Sequence, residues 1–367
     1  MHEKPVSFQE RTPTSILVHR PAPAAAMITP ILFNILGPIL LMVGLGALLR
    51  WRLALDLTTL AKLNIYLFTP AFIFKHVAES KLPWSDMGGI VLITVMQVFT
   101  LGMLIWGIGR ALRVSRKTLS AIALAVMFYN SGNYGLALAE LAYPGKAQIT
   151  SPAATQHSAL VTQHLPRDGG AVQAFVVLSQ NVLTFTVGLA IAASAGSTGV
   201  ADIAAKILRL PVLYTFAAAL LARWWLGSSP SHTMPLIVGK TADFLSAGLV
   251  PVALVTLGVQ LAANPRWPRW KPVSLALALR LIGGPLQMAL LLWAFHQLHV
   301  GPLDLWPWPA ELLVLTAAVP TAINTLLLTL ELDGDADLAA DCVFWSTIFS
   351  CVTITLWLYA IRWFFGA

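Results

Sequence analysis

The sequence predicts an all-α polytopic membrane protein of ten transmembrane helices arranged in two halves of five. Three observations predict it. Of 367 residues, 57% are hydrophobic and only 11% charged, against roughly 25% charged in soluble domains, and the mean hydropathy is +0.75. The chain also divides into ten apolar runs, each near the ~20 residues that a helix needs to cross a bilayer. Two of those runs, the fourth and the ninth, are interrupted by Tyr129-Asn130-Ser131-Gly132-Asn133-Tyr134-Gly135 and by Pro320-Thr321-Ala322-Ile323-Asn324. Backbone leaves helical geometry at membrane depth only where protein or a wet cavity satisfies it. Paired interruptions in two halves of a chain are the sequence mark of a transport site.

Residues 1–26 are polar and Pro/Ala-rich, with Lys4, Arg11 and Arg20 and no apolar core of the signal-peptide kind. They read as a disordered tail, and Met27 is a second candidate start of translation. The ten spans that follow have cores near 30–49, 58–78, 88–109, 118–139, 171–194, 203–226, 240–262, 273–296, 310–331 and 338–363. Proline recurs within them at 38, 70, 211, 251, 285 and 320. The halves correspond in order: Pro38 answers to Pro211, Pro70 to Pro251, and the break in span 4 to that in span 9. Five helices is an odd number, so a second set of five enters the membrane from the opposite side. The expected domains are the tail 1–26, a first five-helix repeat 27–199 with an external polar loop 144–170, and a second repeat 200–367.

The net charge of +7 reads as topology rather than as a nucleic-acid surface. Loops after odd-numbered spans hold Arg50, Arg52, Arg110, Arg113, Arg116, Lys117, Lys206, Arg209, Arg266, Arg269 and Lys271. The opposite loops and the C-terminus hold fewer: Lys75, Lys81, Lys146, Arg167, Arg223, Lys240 and Arg362. The positive-inside rule then places both termini on the non-cytoplasmic side of a cell membrane. Thirteen Trp suit interfacial belts, of which Trp306-Pro307-Trp308-Pro309 is one. The two cysteines, Cys342 and Cys351, are about 13 Å apart along one helix, beyond disulfide reach, and read as packing residues.

Asn130-Ser131-Gly132-Asn133-Tyr134-Gly135-Leu136, followed by Pro320-Thr321-Ala322-Ile323-Asn324, resembles the auxin efflux carrier family of membrane transporters. The resemblance covers roughly Met27 to the C-terminus. Plant members export the auxin anion, and bacterial members include malate and malonate carriers. The resemblance implies two inverted five-helix repeats like those of the bile-acid sodium symporters, with broken helices 4 and 9 crossing at mid-membrane. It also implies an elevator-like movement of spans 3–5 and 8–10 against a scaffold of spans 1, 2, 6 and 7. The connection 144–170 is longer than relatives usually have.

The candidate substrate-binding residues are Asn130, Ser131, Gly132, Asn133, Pro320, Thr321 and Asn324. Amides and hydroxyls offer donors and acceptors without fixed charge, and a half-helix starting at a break points free N–H groups and a positive dipole end at an anion. The bland reading is that these groups only satisfy each other at the crossing, with substrate bound beside them. Gln180 and Asn181, mid-span in span 5, are a candidate ion or support site, or a helix–helix hydrogen-bond pair. Gln97 and Gln287 carry a weaker version of that argument. Arg280 is the main charge within a span, and its distance of about two turns from Lys271 favours snorkelling to the interface or an internal ion pair over attraction of substrate. Asp333-Gly334-Asp335-Ala336-Asp337 lacks the later residues of a calcium loop and reads as a helix cap. His157 and His164 lack a third ligand, and no metal site or cofactor is expected.

These features make a non-enzymatic secondary carrier of a small organic anion the leading expectation, with Na+ or H+ as coupling ion. The partners expected are the anion, membrane lipid and a second copy of the chain in a homodimer, with no nucleic acid. The rivals are a channel or receptor, and an intramembrane enzyme, which would need a convergent nucleophile, base or metal set at one depth.

Overall fold

The computed structural model describes residues 29, 31–53, 55–144, 168–194, 211–229, 231–262, 268–332 and 334–365. The tail 1–26 and most of the 144–170 connection, with His157 and His164, lie outside the described residues. So do the basic residues Lys146, Arg167, Lys206, Arg209 and Arg266. Within the described residues the regular structure is helical, apart from a single antiparallel bridge between Tyr129 and Thr321.

The elements in chain order are α1 (Ile31–Arg52), α2 (57–78), α3 (Trp84–Ala111), α4 (Arg116–Met127), α5 (131–142), α6 (Gly169–Ala193), α7 (Pro211–Ser228), α8 (Leu236–Leu261), α9 (Trp270–Gln297), α10 (Ala310–Ala317), α11 (Ile323–Glu331) and α12 (Ala336–Phe365). Six of them, α1, α3, α6, α8, α9 and α12, are each long and apolar enough to cross a membrane. Helix α2 carries Lys62 and Lys75 and is less apolar. The two interrupted runs are split, into α4 with α5 and into α10 with α11.

Proline explains the irregular turns. A widened turn precedes three of the prolines: Ile31–Leu36 before Pro38, Asn64–Phe68 before Pro70, and Leu279–Gly283 before Pro285. Proline lacks the N–H and its ring crowds the carbonyl four residues back, and one extra residue in the turn relieves both. Pro251 instead sits inside an uninterrupted α8. Two further widened turns, Ser131–Gly135 and Thr184–Gly188, have no proline; in the second, the Thr184 and Thr186 hydroxyls donate to the carbonyls of Gln180 and Val182 at 2.7 Å.

Packing divides the helices into two groups. In the first, α1 lies on α8, and α2 on α7 and α8. The α1–α8 contact is close because Gly46 and Gly258 face opposite carbonyls. A Cβ at Gly46 would lie 2.1 Å from the Val255 oxygen, and one at Gly258 1.9 Å from the Val43 oxygen. Polar pairs tie α2 to α8: Asn64 Nδ2 donates to Thr256 Oγ1 at 3.0 Å, and Lys75 pairs with Asp243 at 2.6 Å. In the second group α3 packs on α4 and α6, α9 on α10 and α12, and α12 on α4. Every residue from Gly169 to Gln180 in α6 is buried, so this stretch of the helix runs through the middle of the molecule.

The ends are capped as their sequences suggest. Asp335 Oδ1 accepts from the Leu338 N–H at 3.3 Å at the start of α12 and pairs with Arg269 at 2.5 Å. Trp306 stacks on His296 and Trp308 tilts against Tyr143. Cys342 is buried in an apolar cluster with Val98, Leu338 and Ala322.

Candidate functional site

The site forms where the two broken helices meet. Helix α4 ends at Met127, and the chain runs extended through Phe128 and Tyr129 before turning into α5. Helix α10 ends at Ala317, and Pro320, which cannot donate to a helix and biases Val319 away from helical geometry, holds the chain extended to α11. The two extended pieces pair antiparallel: the Asn130 N–H donates to the Pro320 carbonyl at 2.8 Å and the Ala322 N–H to the Phe128 carbonyl at 3.0 Å. These bonds satisfy backbone that lipid could not.

Side chains lock the pairing. Thr321 Oγ1 donates to the Ala125 carbonyl at 2.9 Å, and its N–H donates to Ser346 Oγ on α12 at 3.0 Å. Gln173 of α6 reaches across and donates to the Ser131 carbonyl at 2.9 Å. Gly135 leaves room for it, since a Cβ there would lie 2.6 Å from Gln173 Nε2. The Asn130 side-chain oxygen accepts from the Asn133 N–H at 3.1 Å and so caps α5.

Arg280 is the part that sequence reasoning misread. It does not snorkel: it is 1% exposed, and its partners are carbonyls rather than an acid. One guanidinium nitrogen donates to Val126 O at 2.6 Å, in the last turn of α4, and the other to Ala317 O, the last residue of α10. The guanidinium carbon lies 4.8 Å from the Tyr129 ring centre. Gly284 makes space, because a Cβ there would lie 2.8 Å from the guanidinium. A lone charge in span 8 was the available signal, but nothing in a linear sequence brings residues 126, 280 and 317 together.

The expected residues therefore sort into two sets. Thr321 and Pro320 are fully engaged in the crossing, and so are the backbones of Asn130 and Ser131. Asn133 and Asn324 are half-buried, and neither amide side chain has a hydrogen-bond partner among the described residues. Gly132 is half-buried beside open space, with no atom within 4 Å of where a Cβ would be. Asn130 Nδ2 is buried without a partner, as are Arg280 Nε, Gln173 Oε1 and Thr316 Oγ1. Gln180 is 2% exposed and both atoms of its amide are buried without a hydrogen-bond partner, whereas Asn181 is half-buried. Counting outward from the Tyr129–Thr321 bridge, Asn130 corresponds to Ala322 and Asn324 to Gly132. The two asparagines are thus not equivalents. Helix α11 begins at Ile323, its N-cap residue Ala322 makes no side-chain cap, and Asn324 stands in its first turn.

A second cleft, about 850 Å³, lies between α3, α4 and the end of α6, beside Trp106, Arg110 and Arg113. It runs past the exposed residues Phe99 and Met103 and reaches Met127, the last residue of α4 before the crossing.

Residues 197–358 match the family model described as "Membrane transport protein". The chain is 28% identical over 333 residues to an "Uncharacterized transporter" of Methanothermobacter thermautotrophicus, covering 87% of this chain and 95% of that protein. It is 27% identical over 305 residues to a "Putative malonate transporter" of Rhizobium meliloti, covering 81% and 85%. These matches bear out the resemblance to auxin efflux carriers read from the two motifs.

Proposed function

We propose that this chain, which those matches put among the membrane transport proteins, is a secondary carrier of a small organic anion of the malonate class. The carrying observation is the crossing itself. Two helix breaks pair through their backbones, the amides of Asn133 and Asn324 in the first turns after the breaks have no hydrogen-bond partner among the described residues, a Cβ at Gly132 would meet open space, and α11 starts without a side-chain cap. Free N–H groups at a helix start favour a carboxylate, and the malonate description of the Rhizobium relative agrees with that chemistry.

The architecture we propose is ten spans in two inverted repeats, 27–199 and 200–367, with helices 4 and 9 crossing. Exchange of the halves turns the α1–α8 contact into the α7–α2 contact, and the α3–α6 contact into the α9–α12 contact. The antiparallel bridge at Tyr129 and Thr321 lies where a two-fold relation would put its axis. Transport proceeds by elevator-like movement of α3–α6 and α9–α12 against the scaffold of α1, α2, α7 and α8. Both termini lie on the non-cytoplasmic face of the cell membrane, the side opposite Arg110, Arg113, Arg116 and Lys117. Labelling of Ser115→Cys by an impermeant thiol reagent added outside intact cells would reverse that orientation.

The test of function is uptake of labelled malonate, malate and auxin by the purified chain in proteoliposomes. Saturable uptake of one of them, with counterflow when unlabelled substrate is trapped inside, is the expected result. Flux that rises linearly with concentration and shows no counterflow would indicate a channel instead.

A further inference from the structure

We infer that Arg280 is a tethered cation that holds the position a free coupling cation would otherwise take. The C-terminal end of a half-helix presents carbonyls that attract a cation. Here two such ends, those of α4 and α10, converge on one guanidinium, through Val126 O and Ala317 O. Each helix end carries roughly half a negative charge, so the pair together offset about one positive charge. Arg280 supplies that charge from within the protein, fully buried, with Tyr129 over its face.

Two consequences follow. The crossing is neutralised at its negative ends without a transported ion, so the site has no need of Na+ at these carbonyls. The positive ends of α5 and α11 are then left to the substrate, and the local charge balance favours an anion. Arg280 is in this sense a positioning residue: it acts on substrate through the two breaks it holds together. Unlike lysine, a guanidinium can donate to two carbonyls from one plane, which accounts for the residue type. The inference rests on the carrier reading only for its uptake arm.

The experiment measures thermal unfolding of the detergent-purified full chain in sodium chloride, choline chloride and low guanidinium chloride at matched ionic strength. Wild type should unfold at the same temperature in sodium and choline. Arg280→Ala should unfold at a lower temperature and be raised again by low guanidinium, or by sodium over choline, because its vacated carbonyls can take a free cation. Arg280→Lys, which keeps the charge, should remain indifferent to sodium. An Arg280→Ala protein as stable as wild type and unresponsive to every cation overturns the inference. Sodium-specific stabilisation of wild type also overturns it, and decides the matter even if Arg280→Ala does not fold. In proteoliposomes, malonate uptake by wild type should be equal with sodium or choline outside, and Arg280→Lys should weaken malonate binding by about tenfold, the equivalent of one short charged hydrogen bond. Sodium-driven uptake would refute the tethered cation. Absence of uptake of any carboxylate would refute the carrier reading alone, with the unfolding arm still deciding on Arg280.

Discussion

Asn130 and Asn324 differ in what their amides do, and the difference is testable. Asn130 spends its side-chain oxygen on the cap of α5 and keeps Nδ2 buried without a partner. Asn324 keeps its whole amide free and half-buried in the first turn of an uncapped helix. Asn324→Ala should therefore lower malonate affinity by roughly 1–3 kcal/mol, the cost of leaving a buried polar partner unmatched, with little change in unfolding temperature. Asn130→Ala should lower both, because the cap contributes about 1 kcal/mol to α5. Asn324→Asp should harm binding of an anion more than alanine does. Binding measured by calorimetry alongside thermal unfolding separates these outcomes, and tighter malonate binding by Asn324→Asp would contradict an anionic substrate. The motif made both asparagines visible in the sequence. Their inequivalence was not legible, because it depends on which residue of one break lies opposite which residue of the other.

At the scale of elements, the contact between α1 and α8 depends on two glycines. With 1.9 Å between a hypothetical Cβ at 258 and the Val43 oxygen, Gly258→Ala forces the helices apart, since backbone cannot yield as a flexible side chain does. It should destabilise the protein by roughly 1–3 kcal/mol, as overpacking does, and lower the unfolding temperature. Gly132→Ala is the contrasting case. Its Cβ meets nothing within 4 Å, so folding should survive while the space beside the crossing shrinks and uptake falls. Equal unfolding temperatures for Gly258→Ala and Gly132→Ala would show that the close approach is not a constraint. The sequence showed two glycines in the first break, and the structure separates their roles: Gly135 is closely approached by Gln173, whereas Gly132 borders open space.

Across the whole molecule, the elevator proposal requires contacts between the scaffold and the moving group to break. His76, on α2 of the scaffold and stacked on Phe72, lies 3.4 Å from Glu140 on α5 and 3.7 Å from Asp168 at the start of α6. Although its own burial works the other way, Asp168 is held below the usual carboxylate range by His76 and by the backbone N–H groups of Ala171 and Gly170. This polar contact crosses the boundary between the two groups. With His76→Cys and Glu140→Cys joined by a short bifunctional thiol reagent in a background lacking Cys342 and Cys351, uptake should stop, and a cleavable linker should restore it. Full cross-linking with normal uptake would exclude relative movement at this boundary.

Membrane residence, the helical class, the positions of the apolar runs and the two breaks were determined by the sequence itself. Each of these follows from local composition: an apolar run of bilayer length has few alternatives to a helix, and proline or a cluster of Asn and Gly interrupts it wherever it occurs. The cap at Asp335 and the packing role of Cys342 were equally local. Only the tertiary structure decided what Arg280 does. Its distance along the chain from Lys271 suggested an escape to the interface, but the convergence of α4 and α10 supplies two helix ends whose carbonyls accept from the buried guanidinium. It likewise decided that Gln173, an unremarked residue near the start of span 5, reaches the Ser131 carbonyl, and that Tyr129 pairs with Thr321. Such contacts join residues far apart in the chain, and linear spacing carries no information about them; they exist because buried backbone at a break must find partners from another segment or leave the membrane.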